Sequence, residues 1–252
     1  MQELAEQTVL ITGVSGAIGA RLAATFGGYG AHVIGTYRTS AEAAEQAVAA
    51  LPADRRTLLE ADLDGAAAAR DLWRRATTDA RIDTLVVNAA AMASTPLTGD
   101  DDAWDEGWQV TLQVNVVAAT TLMREAAATF AAQGRGSIIT IASWAGQQGS
   151  RIPDLGAYAA SKAALRNFGQ TLARANARTG VRVYTIAPGV VDAGMGTADL
   201  SPAEIAGVAE GLAMGHHVGV QEIAELAAFL ATDRAPSLTG STLDLNGASY
   251  LR

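Results

Sequence analysis

Short β-branched runs alternate with alanine-rich amphipathic stretches along this chain, and few folds accept that alternation. A strand, then a helix of ten or more residues, then another strand is the repeating unit of a parallel sheet with helices on its faces. Strands are predicted at residues 8–11, 32–36, 57–60, 84–87, 137–141, 181–186 and 242–245. Helices are predicted at 17–27, 41–51, 66–78, 108–133, 157–179 and 221–232, with turns at Gly28, Gly134-Arg135-Gly136 and Gly180. With 252 residues and 49% hydrophobic content, the chain can bury one large α/β core, and one domain over 1–252 is expected. The irregular span 190–220 holds six glycines and a short helix candidate after Ser201-Pro202, and is expected to act as a substrate lid.

The first strand runs into Thr12-Gly13-Val14-Ser15-Gly16-Ala17-Ile18-Gly19 and then into a helix. Gly13 permits a tight turn, the small Ser15 and Gly16 let backbone approach a pyrophosphate, and the amides at Ile18 and Gly19 open the helix toward an anion. A glycine loop alone is weak, because any β-α corner can use glycines. Its place after the first strand, with Asp62-Leu63 after the third, favours a nucleotide site. Asp62 could meet the adenine, cap the following helix, or do both.

Cofactor choice turns on Gly35-Thr36-Tyr37-Arg38-Thr39 at the end of the second strand. An acid there would hold a ribose 2′-hydroxyl, but none occurs between Ala31 and Ala41. Arg38, with the hydroxyls of Thr36, Thr39 and Ser40, favours a 2′-phosphate and hence NADP(H) over NAD(H). The plainer reading of Arg38 is a solvated surface arginine.

Tyr158 and Lys162 stand four apart in an alanine-flanked stretch, so one helix face carries both. A phenol beside a fixed cation becomes a stronger acid. Lowering it by about three units requires roughly 4 kcal/mol of preference for the charged form. Taken alone, the pair is better read as a packed tyrosine and an exposed lysine.

Together these residues make the chain resemble the short-chain dehydrogenase/reductase family over essentially its whole length. The likeness rests on Thr12-Gly13-x-x-x-Ala17-x-Gly19, Asp62, Asn88-Ala89, Asn115, Ser143, Tyr158-x-x-x-Lys162, Pro188-Gly189 and the closing 239–247 run, in family order. The resemblance implies a Rossmann-like domain with a doubly wound, seven-stranded parallel sheet and helices on both faces. It also implies a nicotinamide-dependent oxidoreductase, similar to ketoreductases that act on 3-oxoacyl groups. Tyr158 would then be the general acid/base and Lys162 the group that lowers its pKa and meets the nicotinamide ribose. Ser143 would hydrogen-bond the substrate oxygen, and Asn115 would hold the water that links Lys162 to solvent. Asn88 and Ala89 would lie at the adenosine ribose, and Pro188, Gly189 and backbone near Val191 at the nicotinamide.

The chain departs from the family pattern at Val87, Ala90 and Ala193, each of which removes a contact worth about 1 kcal/mol if it was a neutral hydrogen bond. Ser143 and Tyr158 are 15 positions apart, which suggests a longer loop through 146–151. An apparent insertion at 98–104 reads as a solvated acidic loop.

Substrate identity is barely legible. Trp144, Ile152, Leu155, Met195, Leu200, Leu212 and Met214 are candidates for an apolar pocket. His216-His217 lack acidic or thiol partners in sequence, so no metal is expected. A fairly apolar ketone or a 3-oxoacyl group, reduced with NADPH, is the expected substrate. The alternative is a catalytically weak dinucleotide-binding sensor, suggested by the three departures. A nucleotide-sugar epimerase comes last, because only about sixty residues follow Pro188. The absence of cysteine rules out disulfides and suits a reducing cytoplasm. A net charge of −8 gives no attraction to nucleic acid or anionic lipid, and no apolar run is long enough to span a membrane. Long alanine-rich helices suggest a homo-oligomer, either a tetramer or a dimer.

Overall fold

In a computed structural model that describes residues 3–194 and 201–251, strands and helices follow one another as the alternation requires. The order is β1 (Thr8–Ile11), α1 (Ala17–Gly28), β2 (His32–Tyr37), α2 (Ala41–Val48), β3 (Arg56–Glu60), α3 (Ala66–Ala76) and β4 (Thr84–Val87). It continues with α4 (Asp101–Leu112), a π-helical turn (Gln113–Ala118), α5 (Ala119–Gln133), β5 (Gly136–Ile141), α6 (Ala145–Gln148) and α7 (Gly156–Asn176). It closes with β6 (Val181–Pro188), α8 (Pro202–Glu210), α9 (Val220–Ala231) and β7 (Thr242–Leu245).

The seven strands form one parallel sheet in the order β3-β2-β1-β4-β5-β6-β7. Successive residues of each strand face opposite sides, and the core divides accordingly. Val9, Ile11, Val33, Val86, Ile139 and Ile186 pack on one face with α1, α2 and α9, around Leu22, Phe26 and Ile223. Leu10, Ile34, Leu85, Val87, Ile138 and Val183 pack on the other with α3, α5 and α7, around Leu72, Leu122 and Phe130. Each such side chain contributes about 1.5–3 kcal/mol by leaving water. The chain winds outward in both directions from the β1-β4 pair, and their C-terminal ends open a crevice there.

Three expectations need correction. The acidic stretch at 98–104 is not a loop throughout, since Asp100 caps α4 by accepting from the Asp102 amide at 3.0 Å, and the helix starts at Asp101. Acidic residues in a first helical turn complement the positive end of the helix dipole, so the run is a start signal. The predicted helix at 108–133 is interrupted by the π-helical turn at 113–118. The turn expected at Gly28 comes later, at Gly30 with φ of 90°.

Candidate active site

The crevice is built first from the glycine loop. Thr12 Oγ1 accepts from the Asn88 and Ala89 amides at 2.9 and 3.0 Å, which ties the end of β1 to the end of β4. Asn88 Nδ2 donates to the carbonyls of Thr12 and Gly13 at 2.9 and 3.2 Å. Thr36 Oγ1 accepts from the Gly13 amide at 3.2 Å, and the Thr36 carbonyl accepts from Val14 at 2.8 Å. Gly13 holds φ of 75°, and a Cβ on Gly19 would run into its carbonyl, so both positions need glycine. The Asn88 and Thr36 side chains therefore hold the loop.

The loop fits an anion. Gly16 begins α1 with no side-chain cap, and the first turn carries no acid, so its amides have no internal anionic partner. Ser15 and Ile18 are half-buried beside it. At the rim, Arg38 and Thr39 are exposed just past β2, and Arg38 forms no ion pair or hydrogen bond among the described residues. Asp62 is exposed and Leu63 buried after β3. Asp62 does not cap α3, whose N-terminus is Gly65 without a side-chain cap.

The expected catalytic residues lie at the ends of β5 and α7. A Cβ on Gly146 would stand 2.7 Å from the Lys162 carbonyl carbon and the Ala163 amide, so glycine lets α6 close on α7 there. The Trp144 amide donates to the Pro188 carbonyl at 2.9 Å, which fixes the residue after Ser143 against the end of β6. Lys162 is 3% exposed and donates from Nζ to the Ile141 carbonyl at 2.9 Å. Burial lowers its pKa to about 8. Its Nζ lies 5.5 Å from the Tyr158 ring centroid, so the two share a helix face as expected.

The expected lowering of the phenol pKa is not what this arrangement produces. Burial pushes Tyr158 above its ordinary value, and the Ser143 hydroxyl pulls it partly back. The lysine charge lies toward the ring and is engaged by Ile141, so desolvation dominates. Tyr158 is thus a protonated phenol at neutral pH.

Asn115 is 1% exposed in the π-helical turn, and its carboxamide is fully engaged. Oδ1 accepts from the Ala91 amide at 2.7 Å, while Nδ2 donates to the Ala91 carbonyl at 2.8 Å and to Ser161 Oγ at 2.9 Å. Ser161 in turn donates to the Tyr158 carbonyl at 2.7 Å. The carboxamide braces the π-helical turn against the segment after β4 and against α7. Sequence reading missed Ser161, although its place between Tyr158 and Lys162 was a signal.

On the far side, a Cβ on Gly189 would stand 3.0 Å from Asn246 Cα, so β6 and β7 leave the sheet in close contact. Val191 pairs with Val218, and Asp192 Oδ1 accepts from the Val220 amide at 3.3 Å at the start of α9. Of the candidate pocket residues, Ile152 and Met214 are exposed, while Trp144, Leu155 and Leu212 are half-buried. Met195 and Leu200 lie outside the described residues. Val87 is buried in β4, and Ala90 and Ala193 are half-buried.

Comparison with known proteins adds three kinds of likeness. Residues 13–247 match a family described as enoyl-(acyl carrier protein) reductase. The chain is 34% identical over 242 residues to the 3-oxoacyl-[acyl-carrier-protein] reductase FabG of Escherichia coli K12, covering 96% of each. A crystal structure of a 3-oxoacyl (acyl-carrier-protein) reductase from Agrobacterium tumefaciens C58 with NADP bound superposes with a TM-score of 0.86 at 32% identity, covering 97% of this chain and 94% of that one. A Beutenbergia cavernae protein assigned as an NAD(P) dependent gluconate 5-dehydrogenase, with NADP at low occupancy, gives a TM-score of 0.87 at 31% identity over 98% of both chains.

Proposed function

As the chain belongs to the short-chain dehydrogenase/reductase family and is an NAD(P)-dependent oxidoreductase, we propose that it reduces a ketone or 3-oxoacyl group to a secondary alcohol with NADPH. The carrying observation is the half-buried Tyr158 paired with the buried Lys162, with Ser143 in reach of the phenol, in a fold that also carries a glycine loop open to an anion. A bound dinucleotide supplies the hydride. Gly13, Ser15, Gly16, Ile18 and Gly19 would receive its phosphates, Arg38 and Thr39 its 2′-phosphate, and Asp62 and Leu63 its adenine. Ala89, Pro188, Gly189 and Val191 would line the rest of the crevice.

Tyr158 would donate its proton to the carbonyl oxygen, with the Ser143 hydroxyl drawing the phenol back toward the acid range against the upward pull of burial. Ser143 would donate a hydrogen bond to the same oxygen as negative charge develops. Of the three donors on the Lys162 ammonium, one is used on Ile141, which leaves two for ligand hydroxyls. Asn115 would act as a positioning residue, through Ala91 and Ser161.

Span 190–220, of which residues 195–200 lie outside the described residues, would close over the substrate. This is supported by α8, which buries no residue fully and starts with a Ser201-Glu204 capping box. The same span is anchored by the Ala213 amide to Ser249 Oγ at 3.1 Å. Val110 and Val117, exposed on α4 and the π-helical turn, support a homo-oligomer. NADPH oxidation across a ketone panel tests the proposal, and no turnover on any member would contradict it.

A further inference from the structure

We propose that Arg151, stacked on Trp144, binds an oxyanion that the substrate carries away from its ketone, a carboxylate or a phosphate. This inference rests on the ketoreductase reading and names a chemical class for its substrate.

Trp144 directly follows Ser143, and its amide donates a hydrogen bond to the Pro188 carbonyl, which holds its backbone between the ends of β5 and β6. The Arg151 guanidinium carbon lies 5.0 Å from the Trp144 ring centroid. A guanidinium laid on an aromatic face is oriented by that contact, yet its N–H donors remain at the edge for a planar or tetrahedral oxyanion. Arg151 forms no ion pair or hydrogen bond among the described residues, and Asp154, three positions on, does not pair with it.

The loop that presents Arg151 is held at several points. The Gly149 amide donates to Ala145 at 2.9 Å, the Ile152 amide to Ser150 Oγ at 3.0 Å and the Leu155 amide to Ile152 at 3.1 Å. The Asp154 carbonyl accepts from the amide and the hydroxyl of the fully buried Thr95, at 2.6 and 2.9 Å, which ties the loop to the segment after β4. A guanidinium on a held loop loses less freedom on binding than one on a loose loop.

Charge makes the position unusual. Of the described segments 88–112, 142–162, 189–194 and 201–220, which follow the C-terminal ends of β4, β5 and β6, Arg151 is the only exposed arginine or lysine, since Lys162 is buried. Every other exposed, fully charged residue there is acidic, in a chain of net charge −8. A single unpaired cation at the mouth of an acidic rim selects a compact anion over a neutral group, and does so less strongly as salt rises.

The test compares matched substrates in the full-length protein with NADPH. One arm sets an oxo acid against its methyl ester. The other sets a 3-oxoacyl coenzyme A against the N-acetylcysteamine thioester of the same acyl group. In wild type the anionic member of one arm is expected to have the higher kcat/KM, and that arm identifies carboxylate or phosphate. Arg151→Gln should lower the anionic-to-neutral ratio about tenfold or more, mainly through KM, with Arg151→Lys in between, since Lys keeps the charge but loses the fork. An unchanged ratio in Arg151→Gln overturns the inference while turnover of the neutral members leaves the ketoreductase reading standing. If nothing turns over, that reading fails. Binding of the oxo acid and of coenzyme A to the protein–NADPH complex, read by fluorescence, then still decides Arg151, because equal affinities in wild type and Arg151→Gln would overturn it.

Discussion

Asn115 Nδ2 donates to Ser161 Oγ at 2.9 Å, and this bond joins the π-helical turn to α7 between Tyr158 and Lys162. Both residues are buried, so removing one leaves the other with an unmet hydrogen bond, at a cost of about 1–3 kcal/mol. Ser161→Ala and Asn115→Ala should each destabilise by that amount and lower kcat more than they raise KM for NADPH. The double variant should fall short of the sum by about 0.5 kcal/mol or more, measured by urea unfolding and by kcat. Additive effects would mean that the two side chains do not act as one brace.

Lys162 gives stability a pH dependence of known sign. Its pKa is lowered to about 8 in the folded chain from 10.5, so between those values the unfolded chain binds more protons. Stability from this group therefore rises with pH across about 8 to 10.5, by about 3 kcal/mol, and is flat below. The stability of wild type minus that of Lys162→Met should climb across that window in denaturant titrations. A flat difference would contradict the buried, charged lysine.

Arg38 is exposed and unpaired among the described residues, so replacing it should alter cofactor choice without unfolding the chain. Arg38→Ala should reduce the NADPH-to-NADH ratio of kcat/KM about tenfold or more, as expected for a lost charge-assisted bond to phosphate. The same ratio in both proteins would return Arg38 to the solvated surface.

Gly146 allows α6 to meet α7 at Lys162, and an added methyl group would press on backbone 2.7 Å away. Gly146→Ala should cost about 1–3 kcal/mol in stability and reduce kcat. A thermal melt with an activity assay checks both, and a neutral outcome would show that α6 can shift freely.

The sheet was legible because its signals are local. The β-branched runs, the glycine turns and the strand-loop-helix order at Thr12 to Gly19 located seven strands within about two residues. The start of α4 was misread because an acidic run signals both a solvated loop and a helix N-terminus, and only the Asp100 cap separates them. The π-helical turn has no period of its own in sequence, so helix 108–133 looked continuous. Within the site, the shared helix face of Tyr158 and Lys162 was readable from their spacing. The engagement of Asn88, Thr36 and Asn115 with backbone was not, because those partners lie 23 to 76 positions away and only folding brings them together. The direction of the Tyr158 pKa was misjudged for a related reason: sequence shows the neighbouring cation but not the burial that outweighs it.

The most direct test of the central proposal is Tyr158→Phe, which removes the phenolic proton and little else. Wild type should oxidise NADPH with at least one ketone of the panel. The variant should lose at least about a hundredfold in kcat, the lower range for a positioned general acid, while binding NADPH with similar affinity by fluorescence. Undiminished turnover by Tyr158→Phe would contradict the account.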